Sequence, residues 1–205
     1  MEKSEFCQHE IEFNEETKVL HGVSFRAHPG TTTALIGPSG SGKTIIVSLL
    51  ARFWDVTGGK IVIDGIDIQK IKPHILDENI SIVFQEVYLL QDSILNNIRI
   101  GKLDASREEI IASAKAAHCH DFITKMENGY DTVIDEGGST LSGGEKQRIS
   151  IARALLRDVP IVLLDETTSS LMQIEDRAFH RVSSARWASV YFSCFPFQRI
   201  CLCSP

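Results

Sequence analysis

The sequence has no apolar run that approaches the ~20 residues a helix needs to cross a bilayer. Its first residues include the acidic Glu2 and Glu5, so they lack the positively charged start of a secretory signal peptide. We therefore expect the chain to be cytosolic, or to be attached to a membrane through another component.

Basic residues are outnumbered, with 21 Lys and Arg against 27 Asp and Glu and a net charge of −6 at pH 7. This balance argues against a nucleic-acid-binding surface. The remaining composition, 43% hydrophobic and 23% charged over 205 residues, is that of an ordinary globular protein. The length suits one large domain, or one domain with an inserted subdomain, around a sizeable core.

The five cysteines form no regular framework, and three of them lie in the last dozen residues. This usage favours a reducing compartment. His118, Cys119 and His120 are candidates for a metal cluster, but three adjacent residues on a helix cannot all face one ion. We favour an ordinary structural role for them.

The most informative stretch is residues 37–44. Its members are Gly37, Pro38, Ser39, Gly40, Ser41, Gly42, Lys43 and Thr44. The apolar end of residues 31–36 predicts a buried strand before it, and apolar residues at helical spacing predict a helix after it over residues 43–52. A glycine-rich loop between a strand and a helix is the context that a phosphate-binding motif requires.

The chemistry of this loop follows from its residue types. The glycines let backbone N–H groups turn inward around phosphate oxygens, and the helix behind them adds partial positive charge. Lys43 can reach the β- and γ-phosphates, and the Thr44 hydroxyl can coordinate Mg²⁺. We predict that the chain binds a nucleoside triphosphate; a chance glycine-serine loop is the weaker alternative.

Other strands are predicted on either side of the loop. Residues 1–9 are expected to be irregular, followed by short strands at residues 11–13 and 19–25. Residues 60–68 alternate around Asp64-Gly65, which predicts a two-residue hairpin. The apolar residues 81–84 predict a core strand with Gln85 at its carboxyl end.

Residues 86–130 change to helical spacing. Ser106 and Glu109 are placed as a capping box, and so are Ser142 and Glu145 before the helix that contains Ile149 and Leu156. The unbroken apolar run at residues 161–164 predicts a strand buried on both faces of a parallel sheet. It would deliver Asp165 and Glu166 to the edge of the sheet where such folds bind ligands.

Taken in order, these motifs resemble the nucleotide-binding domain of ABC transporters over about residues 11–171. They are the phosphate loop, Gln85, the signature L-S-G-G-E at residues 141–145 and the I-V-L-L-D-E run at residues 161–166. Residues 93–98 and 129–137 are similar to segments of exporter-type members, where the former faces the membrane domain. The resemblance implies a P-loop NTPase core, an α/β fold with a mainly parallel sheet flanked by helices. It also implies an antiparallel β subdomain and an inserted helical subdomain over about residues 86–154.

The resemblance implies roles for single residues. Gln85 would sense Mg²⁺ and the attacking water, Asp165 would support the metal, and Glu166 would act as general base. Phe13 falls where the family stacks an aromatic ring on adenine, although a place in the core of a strand is an equal alternative. The cofactors implied are ATP and Mg²⁺.

The signature is implied to serve a second molecule. Ser142, Gly143 and Gly144 would hold the γ-phosphate of ATP bound to another nucleotide-binding domain, packed head to tail. The partners implied are therefore that second domain and a membrane-spanning transporter domain, with no nucleic acid. The chain would lie in the cytoplasm, peripheral to the inner face of the cell membrane.

Three positions depart from the family pattern. Ile45 replaces a common second hydroxyl residue, and Met172 stands where an aspartate normally crosses the dimer interface. The switch histidine should close the next core strand, whose nearest candidate is residues 190–195, but no histidine follows His180. Hydrolysis of ATP is therefore left open.

The C-terminal region also departs from the family. We expect an ATP-binding domain over residues 1–182 and an atypical tail over residues 183–205, with the residues after about 172 not completing the sheet. The sequence lacks the membrane half of a transporter, so two origins remain open: a separate subunit, or a fragment whose reading frame was lost near residue 172.

Three functions compete. The first is the ATPase subunit of an exporter, the second a remnant that binds ATP without hydrolysis or transport, and the third a soluble ABC ATPase of repair or translation. The acidic balance and the absence of coiled-coil heptads count against the third.

Overall fold

The computed structural model describes residues 6–12, 18–28, 32–38, 40–165, 190–196 and 202–203. The described residues form two compact units. The first contains those up to Ile82, residues 160–165 and the two C-terminal strands, and the second contains Val83–Val159. No helix in these ranges combines the length and the apolar character needed to span a bilayer.

The strands of the described chain are β1 (Phe6–Glu12), β2 (Lys18–Val23), β3 (Thr32–Gly37), β4 (Gly58–Ile63), β5 (Ile66–Asp67), β6 (Ile80–Val83), β7 (Ile161–Leu164), β8 (Val190–Pro196) and β9 (Leu202–Cys203). The helices of the same ranges are α1 (Lys43–Leu50), α2 (Pro73–Asn79), α3 (Ile94–Arg99), α4 (Arg107–Ala116), α5 (His120–Ile123) and α6 (Gly143–Arg157).

A four-stranded sheet in the order β2-β1-β4-β5 is antiparallel at each junction. The turn between β4 and β5 confirms the predicted hairpin, since Asp64 and Gly65 both have positive φ, at 49° and 79°. Two consecutive residues of positive φ form the turn type that matches the twist of a hairpin. The prediction that residues 1–9 are irregular was wrong for residues 6–9, because β1 begins at Phe6 and pairs with β4. Residues 1–5 lie outside the described ranges.

The second sheet has the order β6-β7-β8-β3-β9 and carries the phosphate loop. The strands β3 and β7 each run parallel to β8, and β9 is antiparallel to β3. The predicted strands at residues 31–36, 81–84 and 161–164 are confirmed as β3, β6 and β7, with small shifts at their ends. The parallel direction of β7 is confirmed as well.

The expectation that the chain after residue 172 does not complete the sheet was wrong. The strand β8 lies between β3 and β7, in register from Thr32 opposite Tyr191 to Gly37 opposite Pro196. Ser193 does not interrupt it because a ladder is made by backbone groups, whatever the side chain. Pro196 is its last residue, a place where the missing N–H is tolerated.

The first unit has a hydrophobic core between these strands and α1. Its buried members are Leu20, Ala27, Leu35, Val47, Leu49, Leu50, Ile61, Ile68, Leu76, Ile80 and Leu163. The strand β7 is buried at its last three residues, as expected for a strand covered on both faces.

The second unit is built from α3 to α6. Both predicted capping boxes are present, Ser106 with Glu109 and Ser142 with Glu145. The helix α6 ends at Arg157, and Asp158 after it adopts a left-handed conformation. Its core contains Ile94, Ile98, Ile110, Ala114, Ala117, Ile123, Ile134, Ile149 and Ile151.

Candidate nucleotide-binding site

The phosphate loop connects the end of β3 at Gly37 to the start of α1 at Lys43. Gly40 and Gly42 have φ values of 79° and 86°, the left-handed region that strains other residues. A Cβ on Gly40 would meet nothing within 4 Å, so conformation rather than space requires glycine there. These two turns curve the loop around the N-terminus of α1, where backbone N–H groups are left without helical partners.

Lys43 lies over this loop. Its ammonium group donates to the carbonyl oxygens of Gly37 and Pro38, both at 2.9 Å, and the residue is only 5% exposed. A lysine held in this way places one positive charge against the loop in a partly desolvated setting. This charge is positioned to meet phosphate oxygens.

Ser41 provides a second sign that the loop is built for a polar ligand. Its hydroxyl oxygen is buried and, within the described part of the chain, has no hydrogen-bond partner. Buried polar atoms nearly always have a hydrogen-bond partner. An unpaired hydroxyl inside a glycine-rich loop is therefore consistent with a hydrogen bond to the phosphate oxygen of a ligand.

Thr44 and Asp165 meet across 121 positions of the sequence. The Thr44 hydroxyl donates to the Asp165 carboxylate at 2.9 Å, and Asp165 is buried where β7 ends. Two adjacent ligands of an octahedral Mg²⁺ ion, each about 2.1 Å from the metal, lie about 3 Å apart. The spacing and oxygen chemistry of this pair therefore fit magnesium. Among the described residues, no group of three His, Cys, Asp or Glu side chains could hold a metal ion by itself. Mg²⁺ at such a site would retain water and substrate phosphates as its other ligands.

Three predicted site residues lie outside the described ranges. They are Ser39 in the loop, Phe13 as the aromatic candidate and Glu166 as the candidate general base. Their assigned roles stay predictions, as does the departure at Met172. Glu166 directly follows Asp165 in the sequence, and so follows the buried carboxyl end of β7.

The signature residues lie at the start of α6 in the second unit. Ser142 is the N-cap: its hydroxyl accepts from the Glu145 amide at 3.4 Å, and its own amide donates to the Glu145 carboxylate at 2.8 Å. Gly143 and Gly144 follow, and a Cβ on either would meet nothing within 4 Å. The Cβ positions of both glycines thus face open space at the start of a 15-residue helix, and the N-terminus of a helix can hold an anion.

Gln85 follows β6, as the sequence predicted, and its side chain is exposed. It belongs to the second unit. Its role toward metal and water stays a prediction.

Cys119 and His120 each hydrogen-bond a different group of the second unit. Burial raises the pKa of the Cys119 thiol to about 12, and its Sγ donates to the Ala114 carbonyl at 3.2 Å. The His120 ring instead bonds the Tyr130 hydroxyl at 2.9 Å. A thiol this reluctant to ionise is a poor metal ligand.

The sequence did not single out Asn97 and Arg153, two polar residues that are hydrogen-bonded to each other in the second unit. Asn97 is fully buried in the second unit and bonds Arg153. The signal was visible, since each polar residue interrupts an apolar helical face: Asn97 lies among Ile94, Leu95 and Ile98, and Arg153 lies between Ile149 and Leu156.

Comparison with protein families gives a match to the family described as ABC transporter over residues 20–169. An ATP-dependent lipid A-core flippase of Legionella pneumophila strain Paris is 49% identical over 159 residues, 78% of this chain and 27% of the flippase. A β-(1→2)glucan export ATP-binding/permease protein of Rhizobium johnstonii is 49% identical over 167 residues, 82% of this chain and 28% of that protein.

A solved structure, that of a bacterial Atm1-family ABC exporter with ATP bound, matches with a TM-score of 0.84 and 38% identity. The match covers 96% of this chain and 35% of the exporter chain. The P-loop NTPase fold expected from the sequence is thereby confirmed. The chain spans about a quarter to a third of the length of the relatives that it matches.

Proposed function

The chain belongs to the ABC transporter family, and from this premise we propose that it binds and hydrolyses ATP to power export through a separate membrane domain. One observation carries the proposal: the Thr44 hydroxyl and the buried Asp165 carboxylate meet at 2.9 Å beside the lysine of the phosphate loop. A hydroxyl, a carboxylate and a desolvated ammonium in one place form the set that Mg²⁺ and the phosphates of ATP require.

Each residue has a proposed task. Lys43 and the loop amides hold the phosphates, while Thr44 and Asp165 hold the metal. Gln85 and Glu166 act on the attacking water, with Glu166 as the base. ATP supplies the transferable γ-phosphoryl group, and bound Mg²⁺ supplies neutralisation of its charge.

The arrangement beyond this chain is also proposed. A membrane-spanning domain is the proposed partner because the relatives that the chain matches include a flippase and an export ATP-binding/permease protein. We place the chain in the cytoplasm at the inner face of the membrane, paired head to tail with a second nucleotide-binding domain. The two compact units support an ATP-binding core with an antiparallel β subdomain and an inserted helical subdomain.

A second candidate function is ATP binding without hydrolysis, and the register of β8 favours it. This strand ends at Pro196, opposite Gly37 at the start of the phosphate loop. The family resemblance places the switch histidine at the end of this strand. No histidine occurs after His180, and the last two residues of β8, Phe195 and Pro196, cannot hydrogen-bond a phosphate through their side chains.

The Glu166→Gln variant distinguishes ATP hydrolysis from ATP binding without hydrolysis. We expect ATP turnover to fall about 100-fold or more while ATP affinity stays unchanged, because the amide keeps the shape but cannot accept a proton. Steady-state phosphate release and calorimetry measure the two quantities, with Glu108→Gln on the exposed start of α4 as the control. If the unaltered chain turns over no faster than Glu166→Gln, the binding-only function is correct.

The Ser142→Arg variant tests the head-to-tail pairing. We expect it to block ATP-dependent association, because a bulky cation replaces the hydroxyl at the proposed site for the partner's γ-phosphate. Light scattering with and without MgATP measures association. Ser106→Arg is a matched control, since Ser106 begins α4 with the same capping box and its loss costs about 1 kcal/mol in either helix. Equal dimerisation with and without nucleotide in the unaltered chain would contradict the pairing.

A further inference from the structure

The sequence contains five asparagines, and one of them, Asn128, is followed by glycine. Asparagine is a chemically labile residue because the next backbone nitrogen can attack its side-chain amide. Glycine favours this attack, since it has no Cβ to shield the nitrogen and its backbone rotates freely. The other four asparagines precede Glu15, Ile80, Asn97 and Ile98. Asn128 is therefore the asparagine whose neighbour hinders the attack least.

The side chain of Asn128 is open to solvent. The residue is exposed, and its side chain does not cap the short turn Gly129–Asp131 that follows it. Asn79 is also exposed, but its amide donates to the Ile75 carbonyl at 2.7 Å and the next residue is the β-branched Ile80. Asn128 therefore joins an accessible amide to an unhindered neighbour, and Asn79 provides an internal comparison.

The folded backbone around Asn128 opposes the attack. The Gly129 amide, which would supply the nucleophile, donates to the Met126 carbonyl at 3.0 Å. Asn128 has a ψ of 10°, so the Gly129 nitrogen is nearly eclipsed with the Asn128 nitrogen and is turned away from Cβ. The reaction thus requires both the loss of this hydrogen bond and a rotation of the backbone.

Further contacts hold the same turn closed. The Asp131 amide donates to the Asn128 carbonyl at 3.0 Å, and the Thr132 amide donates to the Gly129 carbonyl at 3.2 Å. Arg107 of α4 donates to both carboxylate oxygens of Asp131, at 3.2 and 2.9 Å. These contacts must open together before the backbone can rotate, which makes the reactive conformation a minor, locally opened state.

We propose that Asn128 is a site of spontaneous deamidation through the Gly129 nitrogen, and that opening of the turn at residues 126–132 limits its rate in the folded chain. The proposal does not depend on nucleotide binding.

The reaction consumes only water. The Gly129 nitrogen loses its proton and bonds to Asn128 Cγ, the bond from Cγ to Nδ2 breaks, and ammonia leaves with that proton. The result is a five-membered succinimide ring. Water then opens the ring at one of its two carbonyl carbons. Attack at Cγ gives aspartate, and attack at the former backbone carbonyl carbon gives isoaspartate.

The products alter the turn to different degrees. In isoaspartate the main chain passes through Cβ and Cγ, and the former backbone carbonyl becomes a free carboxylate. In the unmodified chain that carbonyl accepts from the Asp131 amide. Either product also adds a negative charge close in sequence to the acidic Glu127 and Asp131, and like charges repel. Deamidation should therefore weaken the turn, and isoaspartate should weaken it more.

Peptide mapping by mass spectrometry tests the proposal on the full chain, aged at neutral pH either folded or in urea. We expect Asn128 to convert about tenfold faster or more in urea than in the folded chain, because unfolding removes the need for local opening. Asn79 should convert more slowly than Asn128 in urea. An isoaspartate-specific methylation assay should detect isoaspartate beside aspartate at residue 128, because the ring opens in two ways.

Two variants separate the opening of the turn from the chemistry. Arg107→Ala removes the partner of Asp131 and should speed conversion of Asn128 about threefold or more in the folded chain, with no change in urea. Lys115→Ala, at the exposed end of the same helix, is the matched control. Gly129→Ala should slow the reaction in urea about tenfold because a Cβ shields the nitrogen. If Arg107→Ala does not fold, Asp131→Ala removes the same pair.

The outcomes decide the two parts separately. An unfolded chain in which Asn128 does not convert, or converts to aspartate without isoaspartate, overturns Asn128 as the site of this reaction. Equal rates in the folded chain and in urea overturn the role of the turn. A folded Arg107→Ala chain that reacts no faster than Lys115→Ala counts against that role as well.

Discussion

The Lys43→Ala variant is expected to bind MgATP about 100-fold more weakly than the unaltered chain, since two charge-assisted hydrogen bonds at about 1.5 kcal/mol or more each would be lost. Lys43 is the cation that lies over the phosphate loop, where it donates to the Gly37 and Pro38 carbonyls at 2.9 Å. In the Lys43→Ala variant this positive charge at the loop is lost, and with it the hydrogen bonds that the ammonium would give to phosphate oxygens. Because only 5% of the residue is exposed, water screens this charge weakly.

Calorimetric titration with MgATP measures the loss of affinity. Lys72→Ala is the control, since Lys72 is an exposed lysine before α2 to which we assign no role. Circular dichroism should show that the Lys43→Ala chain remains folded, although the two carbonyls lose a donor. Equal ATP affinity in the folded Lys43→Ala variant would mean that the nucleotide binds elsewhere.

Deletion of residues 183–205 is expected to unfold the first unit. It removes β8, which pairs with β3 over residues 32–37 and with β7 over residues 161–164. The neighbouring strands would then lose their partners on the sides that face each other. Each buried backbone group left unpaired costs about 1–3 kcal/mol, and several of them together exceed a typical domain stability of about 5–15 kcal/mol.

Thermal unfolding followed by circular dichroism measures this effect, together with ATP binding. Deletion of residues 201–205 is the matched control, because it removes only the edge strand β9, whose pairing with β3 involves Ala34 and Leu35. The control should keep a cooperative transition and its affinity for ATP. A longer deletion that melts at the same temperature as the full chain would show that the sheet is complete without β8.

This expectation reverses the one drawn from the sequence, and the reason is specific. Residues 190–196 contain Ser193 and end in Pro196, features that weaken a strand when they are judged locally. In the structure, Ser193 lies opposite Ala34 on one side and Leu164 on the other. Because β3 and β7 both pair with this segment, the backbone hydrogen bonds of the sheet outweigh the segment's weak local preference for strand.

Several features of this protein could be predicted from residues that lie close together in the sequence. The phosphate loop, both capping boxes, the Asp64-Gly65 turn and the buried strand β7 are each made by residues close together in the chain. Backbone conformation, cap hydrogen bonds and hydrophobic period depend on such neighbours, and therefore they can be predicted without knowledge of the fold.

The tertiary structure decided what depends on distant partners. It placed β1 in a sheet and β8 at the centre of another, and it brought Thr44 to Asp165 and Arg153 to Asn97. In each case the partners lie many positions apart in the chain, and a residue pattern states which groups need a partner but not which groups will supply it. The residue types thus determined the chemistry of the candidate nucleotide site, and long-range packing determined which of its groups meet and which residues contact helix α6.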